Sequence, residues 1–108
     1  MTVCEKEMTN EQLEKILHDD EASFLLLDVR ETTEYAIQHI PGSVLIPLGQ
    51  LKNRLDEVSN EQPIYVICRS GVRSDEACSI LRENGYDEVY NVVPGMIHWN
   101  GIVESDFA

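Results

Sequence analysis

The stretch Val66-Ile67-Cys68-Arg69-Ser70-Gly71-Val72-Arg73-Ser74 places a cysteine, a glycine and two arginines in one short loop. A thiolate is a strong nucleophile, and cysteines beside arginine or at a helix N-terminus have pKa values lowered to roughly 3.5–7.5. Cys68 in this setting is expected to be largely ionised at neutral pH and able to attack. Gly71 allows the loop to curl, so that backbone N–H groups from Arg69 to Arg73 turn inward around one sulfur or one oxyanion. Arg69 and Arg73 add two permanent positive charges. They matter because the 108 residues hold eight Lys and Arg against twenty Asp and Glu, a net charge of −12. A cysteine that merely finished a strand would need none of this company.

Position strengthens the reading. Pro63 to Ile67 is an apolar run of strand length, and Ser74 to Asn84 has a helical pattern, with Ala77, Ile80 and Leu81 inward and Asn84-Gly85 as a stop. Cys68 therefore sits at the carboxyl end of a buried strand, just before a helix. In open α/β sheets that edge is where ligands bind, and the first helical N–H groups there are unpaired and partly positive. Cys78, a full turn into the helix, reads as packing rather than as a second thiol of the site.

The remaining elements follow in order. Thr2 to Met8 reads as a short edge strand, and Thr9-Asn10-Glu11-Gln12 has the form of a capping box before a helix running to about His18. Ser23 to Val29 is a strand buried on both faces that ends in Asp28-Val29-Arg30. Asp28 and Arg30 then lie at the same sheet edge as Cys68, where Glu31 and Glu34 are candidate partners for Arg30. A bracing ion pair suits that cluster better than direct chemistry. Thr32 caps a short helix through Ile37, Gln38 to Gly42 turns, and Ser43 to Ile46 is a further strand. Pro47 starts a helix with Leu48, Leu51 and Leu55 on one face; Val89 to Val93 is the last strand, and Pro94-Gly95 opens a short helix with Met96, Ile97 and Trp99. Strand and helix alternate throughout, which indicates an α/β fold: a parallel sheet covered on both faces.

Composition narrows the function. The chain suits one domain over residues 1–108, without repeats or linkers. Its acidity opposes nucleic acid and anionic membrane as partners. Cys4, Cys68 and Cys78 form no C-x-x-C pair and are odd in number, which argues against a zinc site and a disulfide framework and favours a reducing compartment. No apolar leader or membrane-length run is present, and a cytoplasmic location is expected.

Four separated motifs together resemble a single-domain rhodanese, a sulfurtransferase family. They are Asp28-Val29-Arg30 with Glu34-Tyr35, His39-Ile40-Pro41-Gly42-Ser43, Cys68 to Ser74, and Val89-Tyr90-Asn91 leading to Gly95 and Trp99. Gln38 stands where the family often has Gly, Ser43 where it often has Ala, and Pro94 where a Gly-Gly pair is usual. The resemblance implies a three-layer α/β/α fold with a five-stranded parallel sheet. It also implies a double displacement: Cys68 takes the outer sulfur of a donor such as thiosulfate, becomes a persulfide, and passes the sulfur to a thiol or cyanide. Arg69, Ser70, Gly71, Val72 and Arg73 would form the substrate-binding loop, with Asp28, Arg30 and Ser74 in support, and no metal or organic cofactor. The partners are then a small anionic sulfur donor and its acceptor, or a sulfur-handling protein.

Rival readings are a cysteine phosphatase or arsenate reductase, a docking module, and a Cys-His protease using His39. The phosphatases resemble Cys-x5-Arg, which holds a tetrahedral oxyanion, whereas Cys68 to Arg73 is Cys-x4-Arg, a tighter ring. Docking modules often lose the nucleophile, which this chain keeps. His39, in a turn beside Pro41, and His98, beside Trp99, read as structural. The physiological donor and acceptor, the pathway, the oligomeric state and any redox role of Cys4 or Cys78 are not written in these residues.

Overall fold

A computed structural model of the chain describes residues 6–107, so Cys4 and most of the Thr2 to Met8 segment lie outside it. Five parallel strands form one sheet in the order β1-β5-β4-β2-β3, where β1 is Glu7–Thr9, β2 Leu25–Asp28, β3 Val44–Leu45, β4 Ile64–Ile67 and β5 Val89–Val93. Three helices connect them: α1 (Asn10–Leu17), α2 (Thr32–Ile37) and α3 (Val72–Glu83). The three-layer α/β/α arrangement expected from the alternating pattern is present.

The period-two alternation of the central strands divides the core. Leu27, Val66 and Cys68 face one side, packed with Ala77, Cys78 and Leu81 of α3. Leu26, Tyr65 and Ile67 face the other, packed with Leu13 of α1 and, at its margin, Ile16, Met96 and Trp99. Cys78 is fully buried, as its place in the α3 stripe suggests.

Strand order also locates the candidate site's edge. After β2 the chain moves outward to β3, and after β4 it moves the opposite way to β5, while β2 and β4 are neighbours. Such a reversal leaves a crevice at the strands' carboxyl ends, where open α/β sheets bind ligands. Asp28 and Ile67 are paired residues at those ends, so the segments that carry Arg30 and Cys68 leave the sheet at the same edge.

Several boundaries differ from the sequence reading. Helix α3 begins at Val72 rather than Ser74, because Gly71, at φ +92°, completes the loop's curl in one residue. Helix α2 is preceded by Glu31 rather than capped by Thr32; the Glu34 carboxylate accepts the Glu31 N–H at 3.0 Å. The segment after Pro47 forms two 3₁₀ turns, Leu48–Asn53 and Leu55–Glu57, instead of an α-helix. Its leucines at Leu48 and Leu51 are three residues apart, which matches a three-residue turn. Met96–His98 is likewise a 3₁₀ turn. The capping box at Thr9 and Gln12 is formed as expected.

Candidate active site

The Cys68 sulfur sits between the end of β4 and the start of α3, and the residue is 1% exposed. Its Sγ accepts the N–H of Gly71 at 3.1 Å and that of Ser74 at 3.3 Å, with the Ser74 hydroxyl oxygen 3.2 Å away. Burial by itself pushes the thiol pKa up. Hydrogen bonds from the Ser74 hydroxyl and from the amides of Ser74, Gly71 and Ser70 outweigh it, and the net pKa is lowered. The cradle thus combines amides from the expected Arg69 to Arg73 loop with the amide and the adjacent hydroxyl of Ser74, the third residue of α3.

Ser74 is held in turn by Asn91 of β5. The Asn91 Nδ2 donates to the Gly71 carbonyl at 3.1 Å, so its Oδ1 faces Ser74, which donates to it at 2.5 Å. Both Ser74 and Asn91 are buried. The Ser74 hydroxyl has one proton and two acceptors within reach, Asn91 Oδ1 and the sulfur. Sequence reasoning found Asn91 only as part of a motif; the available signal was a lone amide in an otherwise apolar and aromatic strand.

A second missed brace supports the loop from below. Gly95, at φ +104°, packs so closely that a Cβ there would stand 2.6 Å from the Cys68 carbonyl oxygen. The N–H groups of Met96 and Ile97 donate to the carbonyls of Cys68 and Arg69, both at 2.9 Å. Asn10 clamps Gly95 from α1, donating through Nδ2 to its carbonyl at 2.9 Å and accepting its N–H at 3.1 Å.

The charged residues divide differently from the expectation. Arg30 pairs with Asp28, not with Glu31 or Glu34: Nη2 donates to Asp28 Oδ2 at 2.8 Å and to the Gln38 carbonyl at 2.8 Å, and Nε reaches both Asp28 oxygens. Two residues of the same strand end can meet directly, whereas Glu34 is turned toward α3. Glu34 holds Arg73 in a bidentate pair at 2.6 and 2.9 Å. The Arg73 guanidinium is the main cause that brings the Glu34 pKa down to about 2. Arg69, Ser70 and Val72 are exposed at the mouth, and among the described residues no carboxylate pairs with Arg69.

The His39 ring engages Tyr35 and Glu104 rather than the sulfur. It is buried and stacked on Tyr35 at 3.8 Å, with its ring nitrogens against the Tyr35 carbonyl at 2.7 Å and Glu104 at 3.0 Å. His98 is exposed on the Met96–His98 turn. Among the described residues no group of three or more His, Cys, Asp or Glu is placed to hold a metal, and no helix is long and apolar enough to cross a membrane.

The chain is similar to known proteins over most of its length. The family model described as a rhodanese-like domain matches residues 9–101. YrkF of Bacillus subtilis, named as a candidate sulfur carrier, is 46% identical over 86 residues, which are 80% of this chain and 46% of YrkF. The chain thus spans about half the length of that relative. A sulfurtransferase of Allochromatium vinosum is 36% identical over 93 residues, 86% of each protein. The crystal structure of a rhodanese-like domain protein from Staphylococcus aureus superimposes with a TM-score of 0.85 at 31% identity, covering 93% of this chain and 97% of that one.

Proposed function

The chain belongs to the rhodanese-like domain family, and we propose that its 108 residues act as one sulfurtransferase domain carrying a sulfane sulfur on Cys68. The observation that supports this most is the sulfur's own setting: a buried thiol with lowered pKa, ringed by fixed donors at a helix N-terminus. In the first step the Cys68 thiolate attacks the outer sulfur of an anionic donor, thiosulfate being the simplest. The donor's S–S bond breaks and its electron pair leaves on sulfite, so that Cys68 becomes a persulfide anion. In the second step an acceptor thiolate or cyanide attacks the terminal sulfur, and the Cys68 thiolate departs as it was.

Each residue has a part in that cycle. Gly71, Ser74 and Ser70 supply preorganised donors to the thiolate, and fixed donors of this kind stabilise charge as it develops. Val72 stands exposed at the loop's rim, Arg69 draws in the anion, and Arg73 is tied across the mouth to Glu34. Asp28 and Arg30 brace the adjoining strand end. No metal or organic cofactor is required by this chemistry. Likeness to YrkF favours a second reading, in which the same persulfide is delivered to a protein rather than a small acceptor.

Intact mass of the wild type and of Cys68→Ser, after thiosulfate and then cyanide, tests the cycle. Gain of one sulfur by the wild type alone, removed by cyanide, is expected. Sulfur gained equally by Cys68→Ser would sink the assignment; a loaded protein that surrenders sulfur only to a protein thiol would select the carrier reading.

A further inference from the structure

Asn91 stands between Val89 and Val93 at period-two spacing, on the face of β5 that meets α3, and it is buried. A buried amide in such a strand needs partners. Both of its polar atoms are directed to the Cys68 cradle: Nδ2 donates to the Gly71 carbonyl at 3.1 Å, and Oδ1 accepts the Ser74 hydroxyl at 2.5 Å. The Gly71 carbonyl also accepts the Asp75 N–H at 3.3 Å, so it has a partner without Asn91. The Ser74 hydroxyl, by contrast, stands with one proton between two acceptors. While Cys68 is protonated, its S–H can donate to Ser74 Oγ at 3.2 Å and the Ser74 O–H to Asn91, which makes a continuous chain. Once the sulfur is ionised, it competes with Asn91 Oδ1 for the hydroxyl proton. The amides of Gly71 and Ser74 stay fixed on the sulfur in either state.

We propose that Asn91 is a positioning residue that competes with the Cys68 sulfur for the Ser74 proton, so that the hydroxyl donates to the sulfur only while the sulfur itself carries charge. The hydroxyl rotates, and no proton is transferred to or from it. The inference rests on Cys68 being the group that carries the sulfane sulfur. In the attacking thiolate the charge lies on Sγ, and the hydroxyl turns to it. In the persulfide anion the charge has moved to the terminal sulfur, and the hydroxyl returns to Asn91. When the acceptor attacks, charge reappears on Sγ and the donor is there for the departing thiolate. The competition has a chemical use, because a thiolate loses nucleophilicity as its basicity falls. By favouring the protonated form through the chain, Asn91 keeps the attacking sulfur more basic than a permanently donating hydroxyl would. The charged groups nearby are separate from this relay. Arg73 of α3 faces the sulfur, Glu34 and Glu31 face Arg73, and Asp28 and Arg30 pair at the end of β2. The Asn91 side chain hydrogen-bonds to Ser74 and Gly71 rather than to these groups.

The test is the pH dependence of Cys68 alkylation by iodoacetamide, resolved by peptide mass from Cys4 and Cys78. It compares the wild type, Asn91→Val, Ser74→Ala and the double variant. Valine suits a buried strand, and Asn91→Ala makes the same comparison without added bulk, with thermal melting to identify the folded variants. Asn91→Val is expected to move the alkylation midpoint to lower pH by about half a pH unit or more. The rate at the alkaline plateau is expected to fall about twofold, as the thiolate becomes less basic. The midpoints of Ser74→Ala and of the double variant are expected to coincide, because without the hydroxyl there is no proton to compete for. A merely structural Asn91 would loosen the cradle when replaced and move the midpoint upward. A midpoint unmoved or raised in both Asn91 variants, or a downward shift that persists without Ser74, overturns the proposal. Intact mass after thiosulfate reports on the sulfane-sulfur reading separately. Sulfur gained by the wild type with no downward shift leaves that reading in place and removes only the role of Asn91. A wild type that gains no sulfur from any donor removes that reading, and the cycle assigned to the hydroxyl falls with it.

Discussion

The Ser74 hydroxyl oxygen lies 3.2 Å from the Cys68 sulfur while its proton is directed to Asn91 at 2.5 Å. One short side chain therefore links the Cys68 thiol at the end of β4 to a buried amide on β5. When the sulfur is ionised, turning that proton toward it supplies a third donor beside the amides of Gly71 and Ser74.

Ser74→Ala removes this donor and leaves the Asn91 amide oxygen unpaired. The Cys68 pKa is expected to move upward, because the Ser74 hydroxyl beside the sulfur does most to favour its charged form. Alkylation by iodoacetamide as a function of pH would show its midpoint shifted to higher pH. Sulfur loading at pH 7 should fall by about tenfold or more. An unmoved midpoint would mean the backbone amides suffice.

The Glu34–Arg73 pair makes an acid-sensitive contribution to stability. The Glu34 pKa is lowered from 4.5 to about 2 in the folded protein, so its contribution is complete above pH 4.5 and disappears as pH falls toward 2. With both side chains about one-third exposed, solvent screening leaves about 1–2 kcal/mol. Urea unfolding of the wild type and Glu34→Gln should differ by that amount at pH 7 and converge as pH drops below 4. A difference constant with pH would contradict the pairing.

Arg30→Ala strips the buried Asp28 carboxylate of its partner and frees the Gln38 carbonyl. Breaking a buried pair in this way costs about 3–5 kcal/mol, so a large fall in Tm is expected. Normal melting with selective loss of sulfur loading would instead assign Arg30 to the reaction itself.

Gly95→Ala should damage both fold and site. Its backbone is at φ +104°, and the added Cβ would stand 2.6 Å from the Cys68 carbonyl oxygen and 2.9 Å from that of Arg69. A loss of about 2–4 kcal/mol is expected in urea unfolding, together with slowed loading of Cys68 in the protein that remains folded. Unchanged unfolding and loading would show that the turn can open at no cost.

Much of the site was legible without coordinates because its parts are neighbours in the chain. A strand ending in Cys68, a curl at Gly71 and a helix starting at once make the cradle from consecutive residues, and hydrophobic periodicity reports strands and helices directly. Asp28-Val29-Arg30 and the capping box at Thr9 were readable for the same reason. Local pattern read less well where the choice was between helix types, as after Pro47. It also missed that Glu31, not Thr32, precedes α2.

Sequence alone determined the setting of Cys68 and the alternating α/β order, since covalent adjacency and side-chain period dictate them before any packing occurs. Tertiary structure decided which charges cancel and which polar groups meet. Arg73 finds Glu34 across 39 residues, Ser74 finds Asn91 across 17, and Asn10 clamps Gly95 across 85. Those meetings depend on strand order: β4 lies between β2 and β5, so groups from both neighbours converge on its carboxyl end. A loop that reads as carrying two free arginines becomes, once α2 is docked beside it, one whose Arg73 is paired with Glu34 while Arg69 has no carboxylate partner among the described residues.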